Sequence, residues 1–167
     1  EYNAATPHAG YELLHKWAAA KKEHGGFSFT SNIDGHWARA GFPMDRIYEV
    51  HGCVNFLQCM DAVHGCTRKG VWPAGVVDLQ TTADGLRCIG DLPRCSDCKG
   101  TSRPNVLMFG DGSCVSDRQD AQEDNYNRWL SQVKGTQLVI VEVGAGTAVP
   151  AVRREAEGRA QQFSAVH

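Results

Sequence analysis

The run Leu138-Val139-Ile140-Val141-Glu142-Val143 constrains the fold more than any other stretch of the chain. Five of its six residues are apolar and four are β-branched. That is the chemistry of a strand covered on both faces, as in a parallel sheet packed between helices. Gly144-Ala145-Gly146-Thr147 follows, and a helix is expected from near Pro150 to about Gln162. Asn105 to Phe109 reads as a second buried strand, ending in Gly110-Asp111. Phe27 to Thr30 and Arg46 to Val50 read as two short ones. Helical spacing predicts helices over 8–22, through Leu13, Leu14, Trp17 and Ala18, and over 118–132, with Tyr126, Trp129, Leu130 and Val133 on one side. Strands alternating with helices specify an α/β fold, a parallel sheet with helices on both faces.

Residues 53–102 interrupt this pattern. They hold six of the seven cysteines and several glycines, with little long-range periodicity. A segment that builds so little core of its own needs a staple. The expected organisation is a first part of the α/β domain over 1–52, an inserted metal-stapled module over 53–102, and a second part over 103–167. A chain that begins at Glu1 reads as a processed or cut piece. An odd cysteine count without a secretory signal argues for a reducing intracellular compartment rather than a disulfide framework. Cytoplasm, nucleus and mitochondrion are not distinguished. The net charge of -2 gives no electrostatic footprint for nucleic acid. No apolar run approaches the roughly 20 residues of a membrane span.

Cys95-Ser96-Asp97-Cys98 is a C-x-x-C pair in a turn-rich context. A tetrahedral zinc site needs two further ligands, and Cys59 and Cys66 are the natural partners, with His64 between them as a variant ligand; the alternative is that Cys59 and Cys66 are ordinary buried thiols. Four protein ligands leave no open position, so the zinc is structural. A redox role for Cys95 and Cys98 fits poorly, because the pair does not open a helix after a strand. Cys53, Cys88 and Cys114 read as ordinary thiols. The Gly144–Gly146 loop between a strand and a helix fits either a nucleotide approach or a plain tight turn. His51 follows a β-branched residue and precedes Gly52, which suits a general base or a structural histidine. Asn32 and Asp34 at the tip of the first strand suit ligand contact or turn formation.

Taken together, these segments resemble the sirtuin family, the NAD-dependent protein-lysine deacylases. Thr30-Ser31-Asn32-Ile33-Asp34-Gly35, with Ala40-Gly41 downstream, is similar to the family's T-Q-N-I-D-x-L…A-G motif. Glu49-Val50-His51-Gly52 is similar to E-L-H-G, and the cysteine pairs sit where the family inserts its zinc module. Arg103 to Asp111 resembles R-P-x-V-V-x-F-G-E, and Val143 to Ala151 falls where the family has its G-T-S…P-A segment.

The resemblance implies a Rossmann-like domain interrupted by a small zinc module, and a deacylase that consumes NAD. His51 is then the general base, and Asn32 and Asp34, with Ser31 beside them, line the nicotinamide and ribose pocket. Val106, Phe109 and Gly110 lie along an acyl-lysine peptide that pairs as an added strand. Gly144, Ala145, Gly146 and Thr147 face the adenosine half of NAD. The sequence also departs from the family. Ser31 stands for a glutamine and Gly-Ala-Gly for Gly-Thr-Ser, and no G-A-G-x-S loop precedes His8. Two expectations follow: a protein partner that completes the sheet, or, as the alternative function, a catalytically inactive remnant serving as a zinc-stabilised assembly subunit.

Overall fold

The computed structural model describes residues 4–21, 23–62, 65–66, 70–75, 79–85 and 87–163. His64 and Lys22 lie outside the described residues. In chain order the helices are α1 (Ala9–Ala20), α2 (His36–Arg39), α3 (Asp117–Gln132) and α4 (Ala151–Phe163). The strands are β1 (Ser28–Thr30), β2 (Ile47–Glu49), β3 (Gly52–Cys59), β4 (Trp72–Pro73), β5 (Gln80–Thr81), β6 (Cys88–Ile89) and β7 (Ser102–Val106). The chain divides into two compact units. Of the described residues, one unit takes those within 4–5, 32–35 and 51–120, and the other those within 6–31, 36–50 and 121–163.

In the second unit, β1 and β2 pair in parallel, Ser28 with Ile47 and Thr30 with Glu49. A parallel pair needs a long crossover, and the connection here carries α2 and a turn of 3-10 helix at Met44–Arg46. The core forms on the expected face of α3: Tyr126, Trp129, Leu130 and Val133 are buried, with Phe27, Phe29, Tyr48, Leu138 and Phe163 against them. Trp129 donates its indole N–H to the His24 carbonyl at 2.9 Å, so the ring is buried without an orphaned donor. The inward face of α1 differs from expectation. Tyr11, Leu14, His15 and Ala18 are covered to different degrees, whereas Leu13 and Trp17 are exposed. Tyr11 is the reason: it meets the edge of Trp37 at 4.9 Å and fixes which stripe of the helix turns in.

Residues 138–143 form none of the strands named above, contrary to the expectation from their composition. Val139, Val141 and Val143 are exposed and the even-numbered residues between them are half-buried, so the segment keeps a strand's period of two. Composition specifies β propensity, but a strand also requires a neighbour to complete its ladder.

In the first unit, β3 is the centre of an antiparallel sheet ordered β4-β3-β7. An eight-residue strand was not legible in this glycine- and cysteine-rich segment, and the register explains why. Cys53 pairs with Asn105, but Leu57 pairs with the adjacent Pro104, so three residues of β3 bulge outward. Pro104 has no N–H to offer there, which places it where proline is tolerated in a sheet. The bulge erases the simple alternation of buried and exposed residues. β7 ends at Val106, three residues short of the expected strand, and Leu107, Met108 and Phe109 are exposed.

Candidate functional site

The β3 bulge anchors one group of candidate residues in the first unit. Its freed backbone groups pair elsewhere: Val54 donates its N–H to the Ile33 carbonyl at 2.9 Å, and Asn55 accepts from Ala74 at 2.8 Å. The first of these bonds ties the Asn32–Gly35 loop to the sheet. Gly35 has a φ of +68°, and a Cβ there would sit 2.5 Å from the Asn55 side-chain nitrogen and 3.3 Å from Cys53 Sγ. Only glycine lets the loop lie this close.

His51 directly precedes β3. Its carbonyl accepts the N–H of Leu107 at 2.9 Å, while Gly52 pairs with Val106. The candidate base therefore sits beside the start of the candidate peptide edge, and both are backbone-anchored. Gly52 is required for that approach. Its φ is +81°, and a Cβ would lie 2.1 Å from the Asn105 carbonyl oxygen. Beyond Val106 the edge rises into solvent, and Phe109 is 93% exposed. Ser31, Gly144, Ala145, Gly146 and Thr147 belong to the other unit. There Gly144 and Gly146 are exposed, with open space where a side chain would stand. Arg153 on α4 braces the loop, donating to Glu142 at 3.1 Å and to the Ala145 carbonyl at 3.4 Å.

The four expected metal ligands converge. The sulfurs of Cys59, Cys66, Cys95 and Cys98 all lie within 4.8 Å of one another. Cys59 and Cys98 are 3.5 Å apart, and Cys66 and Cys95 are 3.6 Å apart. Zinc–thiolate bonds of about 2.3 Å in a tetrahedron place sulfurs roughly 3.8 Å apart, so the cluster fits a closed zinc site. Backbone amides point at it: Asp61 N–H donates to Cys59 Sγ and Gly100 N–H to Cys98 Sγ, each at 3.4 Å. Cys95 to Gly100 forms a tight knuckle, with Cys95 N–H on the Gly100 carbonyl, Lys99 N–H on the Cys95 carbonyl and Lys99 at a φ of +60°. Burial pushes the Cys59 thiol up to about 12, whereas hydrogen bonds from backbone N–H groups, that of Cys98 first, hold Cys95 down to about 7. The remaining thiols, Cys53, Cys88 and Cys114, stand outside the cluster.

A second constellation was not foreseen from the sequence. Asp111 accepts from Arg103 at 2.6 Å through one carboxylate oxygen, and from the Ser113 N–H and hydroxyl at 3.0 and 2.9 Å through the other. The Arg103 guanidinium holds its carboxyl down to about 2. Gln58 and Asn105, both fully buried, join the same loop. Arg103 and Asp111 stand eight residues apart within one motif, but no local spacing rule links Gln58 to Asn105.

The sequence profile of the Sir2 family matches residues 2–149. The chain belongs to the Sir2 family. It is 32% identical over 153 residues to the NAD-dependent protein deacylase of Deinococcus radiodurans, covering 90% of this chain and 55% of that protein. It shares the fold of a Sir2 homologue solved as an NAD complex, with a TM-score of 0.58 at 17% identity, covering 95% of this chain and 52% of the other. The Sir2–p53 peptide–NAD+ structure matches with a TM-score of 0.55 at 22% identity, over 95% and 57%. The chain spans about a third to about half of the curated relatives named for deacylase and lipoamidase activity, at 35%, 39% and 55% of their lengths. The Rossmann-like α/β fold with its four-cysteine module is thus the fold of this family.

Proposed function

We propose that this Sir2-family chain takes part in NAD-dependent removal of acyl groups from protein lysines, with NAD as co-substrate and one structural zinc. The observation that carries the proposal is the backbone coupling of His51 to Leu107 beside the Gly52–Val106 pair, which fixes the His51 main chain beside the start of an exposed strand edge. NAD supplies the ribose that receives the acyl group and the nicotinamide that leaves. His51 acts as general base on a ribose hydroxyl, a task for which imidazole needs little tuning near neutral pH. Asn32 and Asp34, presented by the loop tied to β3, hold the nicotinamide and its ribose, and Ser31 is a further cofactor contact in this reading. Val106, Phe109 and Gly110 align the acyl-lysine peptide. Gly144, Ala145, Gly146 and Thr147 receive the adenosine side; the exposure of Gly144, Gly146 and Thr147 and the open space before the two glycines support this.

The same proposal includes a polypeptide partner that completes the sheet. Val139, Val141 and Val143 form one exposed apolar face. In the same unit β1 and residues 138–142 line a cavity of about 130 Å³ with Phe27, Phe29 and Ile140 in its wall. Four thiols poised for zinc suit a reducing compartment, which we propose as the site of action. The experiment is nicotinamide release from NAD by the chain, with and without acetyl-lysine peptide. Peptide-dependent release, abolished in His51→Ala, is expected. Release that ignores the peptide, or survives His51→Ala unchanged, overturns the reading. Folded, zinc-loaded protein that binds neither substrate favours the assembly-subunit alternative.

A further inference from the structure

We propose that Arg103 and Asp111, backed by Gln58 and Asn105, are positioning residues that set the conformation of the peptide edge at Leu107–Gly110; the inference rests on the reading of that edge as the acyl-peptide site. The edge is a loop with an unusual balance. Its crest is apolar and open, with Leu107, Met108 and Phe109 at 44%, 60% and 93% exposure. Exposed apolar residues gain nothing by holding one conformation, so order must come from the feet of the loop.

Both feet are fixed. At the first, Leu107 N–H bonds the His51 carbonyl, which couples the loop to the candidate base. At the second, Asp111 N–H closes a turn onto the Met108 carbonyl at 3.1 Å, and Gly110 takes a φ of +71°. The Asp111 carboxylate, 8% exposed, receives the Arg103 guanidinium and both donors of Ser113. Charge-assisted bonds of this length are the strong ones. Gln58 then locks the residues after Asp111: its amide donates to the Ser113 carbonyl at 2.8 Å, and its oxygen accepts from Val115 N–H and Asn105 Nδ2, each at 3.0 Å. Asn105 Nδ2 also reaches the Val115 carbonyl at 2.8 Å. An ordinary surface turn needs no such number of buried polar partners. This network passes from β3 and β7 into one loop, and that loop displays the peptide edge.

The test compares wild type with Asp111→Asn, which keeps the side-chain shape and an acceptor for Ser113 but removes the charge, and with Arg103→Gln. Three readouts are taken on the zinc-loaded chain: amide hydrogen exchange at Asp111 and Ser113, affinity for a fluorescein-labelled acetyl-lysine peptide, and affinity for NAD. Both variants are expected to exchange about tenfold faster at these amides and to bind peptide about tenfold more weakly, with NAD affinity unchanged. A general loss of structure would lower both affinities and overturns the positioning role. Unchanged exchange overturns the clamp itself. Faster exchange with unchanged peptide affinity shows that the clamp positions nothing the peptide uses, and also overturns the proposal. A wild-type chain that binds no peptide overturns the substrate reading, and the positioning role with it; the exchange data then still decide separately whether the clamp exists.

Discussion

Replacing Cys95 by serine, or removing the metal with a chelator, should unfold the cysteine module rather than loosen it. The magnitude is worked from the packing of the described residues there. Among the described residues its buried core is Cys59, Cys66 and Cys95, with Ala62 and Trp72 packed against them. Burying a large apolar side chain contributes about 1.5–3 kcal/mol, so this cluster offers a few kcal/mol against the ordering cost of the segments that bring the four cysteines together. A structural zinc with thiolate ligands contributes on the order of 10–16 kcal/mol. The metal term thus exceeds everything else in the cluster and rivals the stability of a whole domain, about 5–15 kcal/mol. The assay reads zinc per chain by metal analysis, Trp72 emission, and hydrogen exchange at the knuckle amides of Cys95 and Lys99. One zinc per chain is expected for wild type, with both amides protected. Cys95→Ser should lose the zinc and the protection together, as should wild type treated with chelator under reducing conditions. Cys88→Ser, outside the cluster, should behave as wild type. The reasoning is refuted if metal-free protein keeps its knuckle protection, or if Cys88→Ser loses zinc as readily as Cys95→Ser.

Two further outcomes are expected. Gly52→Ala places a methyl 2.1 Å from a backbone oxygen at a φ of +81°, where neither partner can rotate away, so it should cost roughly 3 kcal/mol or more in urea unfolding; a midpoint close to wild type would contradict the close pairing of β3 with β7. Asp111, held down to about 2 by Arg103, contributes stability that is fully present above the ordinary carboxylate pKa and is lost as pH falls through about 4 towards 2. The difference in unfolding free energy between wild type and Asp111→Asn should therefore be flat from pH 7 to about 4 and shrink below it, and a difference independent of pH would show that the carboxylate is not selectively stabilised in the folded chain.

How much of this was legible in the sequence depended on whether the governing interaction was local. The buried face of α3 was read correctly because Tyr126, Trp129, Leu130 and Val133 recur at helical spacing and the helix needs no other information to orient them. The clustering of the four cysteines was legible because metal chemistry restricts residue type so severely that the C-x-x-C pair leaves few candidates for its partners. The face of α1 was misread because Leu13 and Trp17 are the larger apolar side chains, whereas the aromatic contact between Tyr11 and Trp37 decides the rotation. Residues 138–143 have a strand's composition and period, but pairing is non-local, and no run of six residues states who its neighbour is. The same holds for β3. Its bulge could be inferred only once Pro104 was known to face it, and the bulge is what delivers the Asn32–Gly35 loop.

Asn32, Asp34 and His51 come from loops at strand ends, which are usually the most variable parts of a fold. Here each loop is fastened by a main-chain bond to the sheet of the first unit: Ile33 by Val54, and His51 by Leu107. The glycines at 35 and 52 carry no chemistry, yet each allows an approach that a side chain would block. Positions that look like plain turn residues in the sequence thus decide how closely the Asn32–Gly35 loop approaches Asn55 and Cys53, and how closely β3 approaches β7. A variant that alters His51 tests the proposed role of its imidazole; one that alters Gly52 tests the framework around it. Because Gly52 pairs with Val106, disturbing it should displace the proposed base and the proposed peptide edge together, so on that reading peptide affinity and turnover should fall in the same variant. Loss of turnover alone, with peptide affinity intact, would mean that the two are held independently.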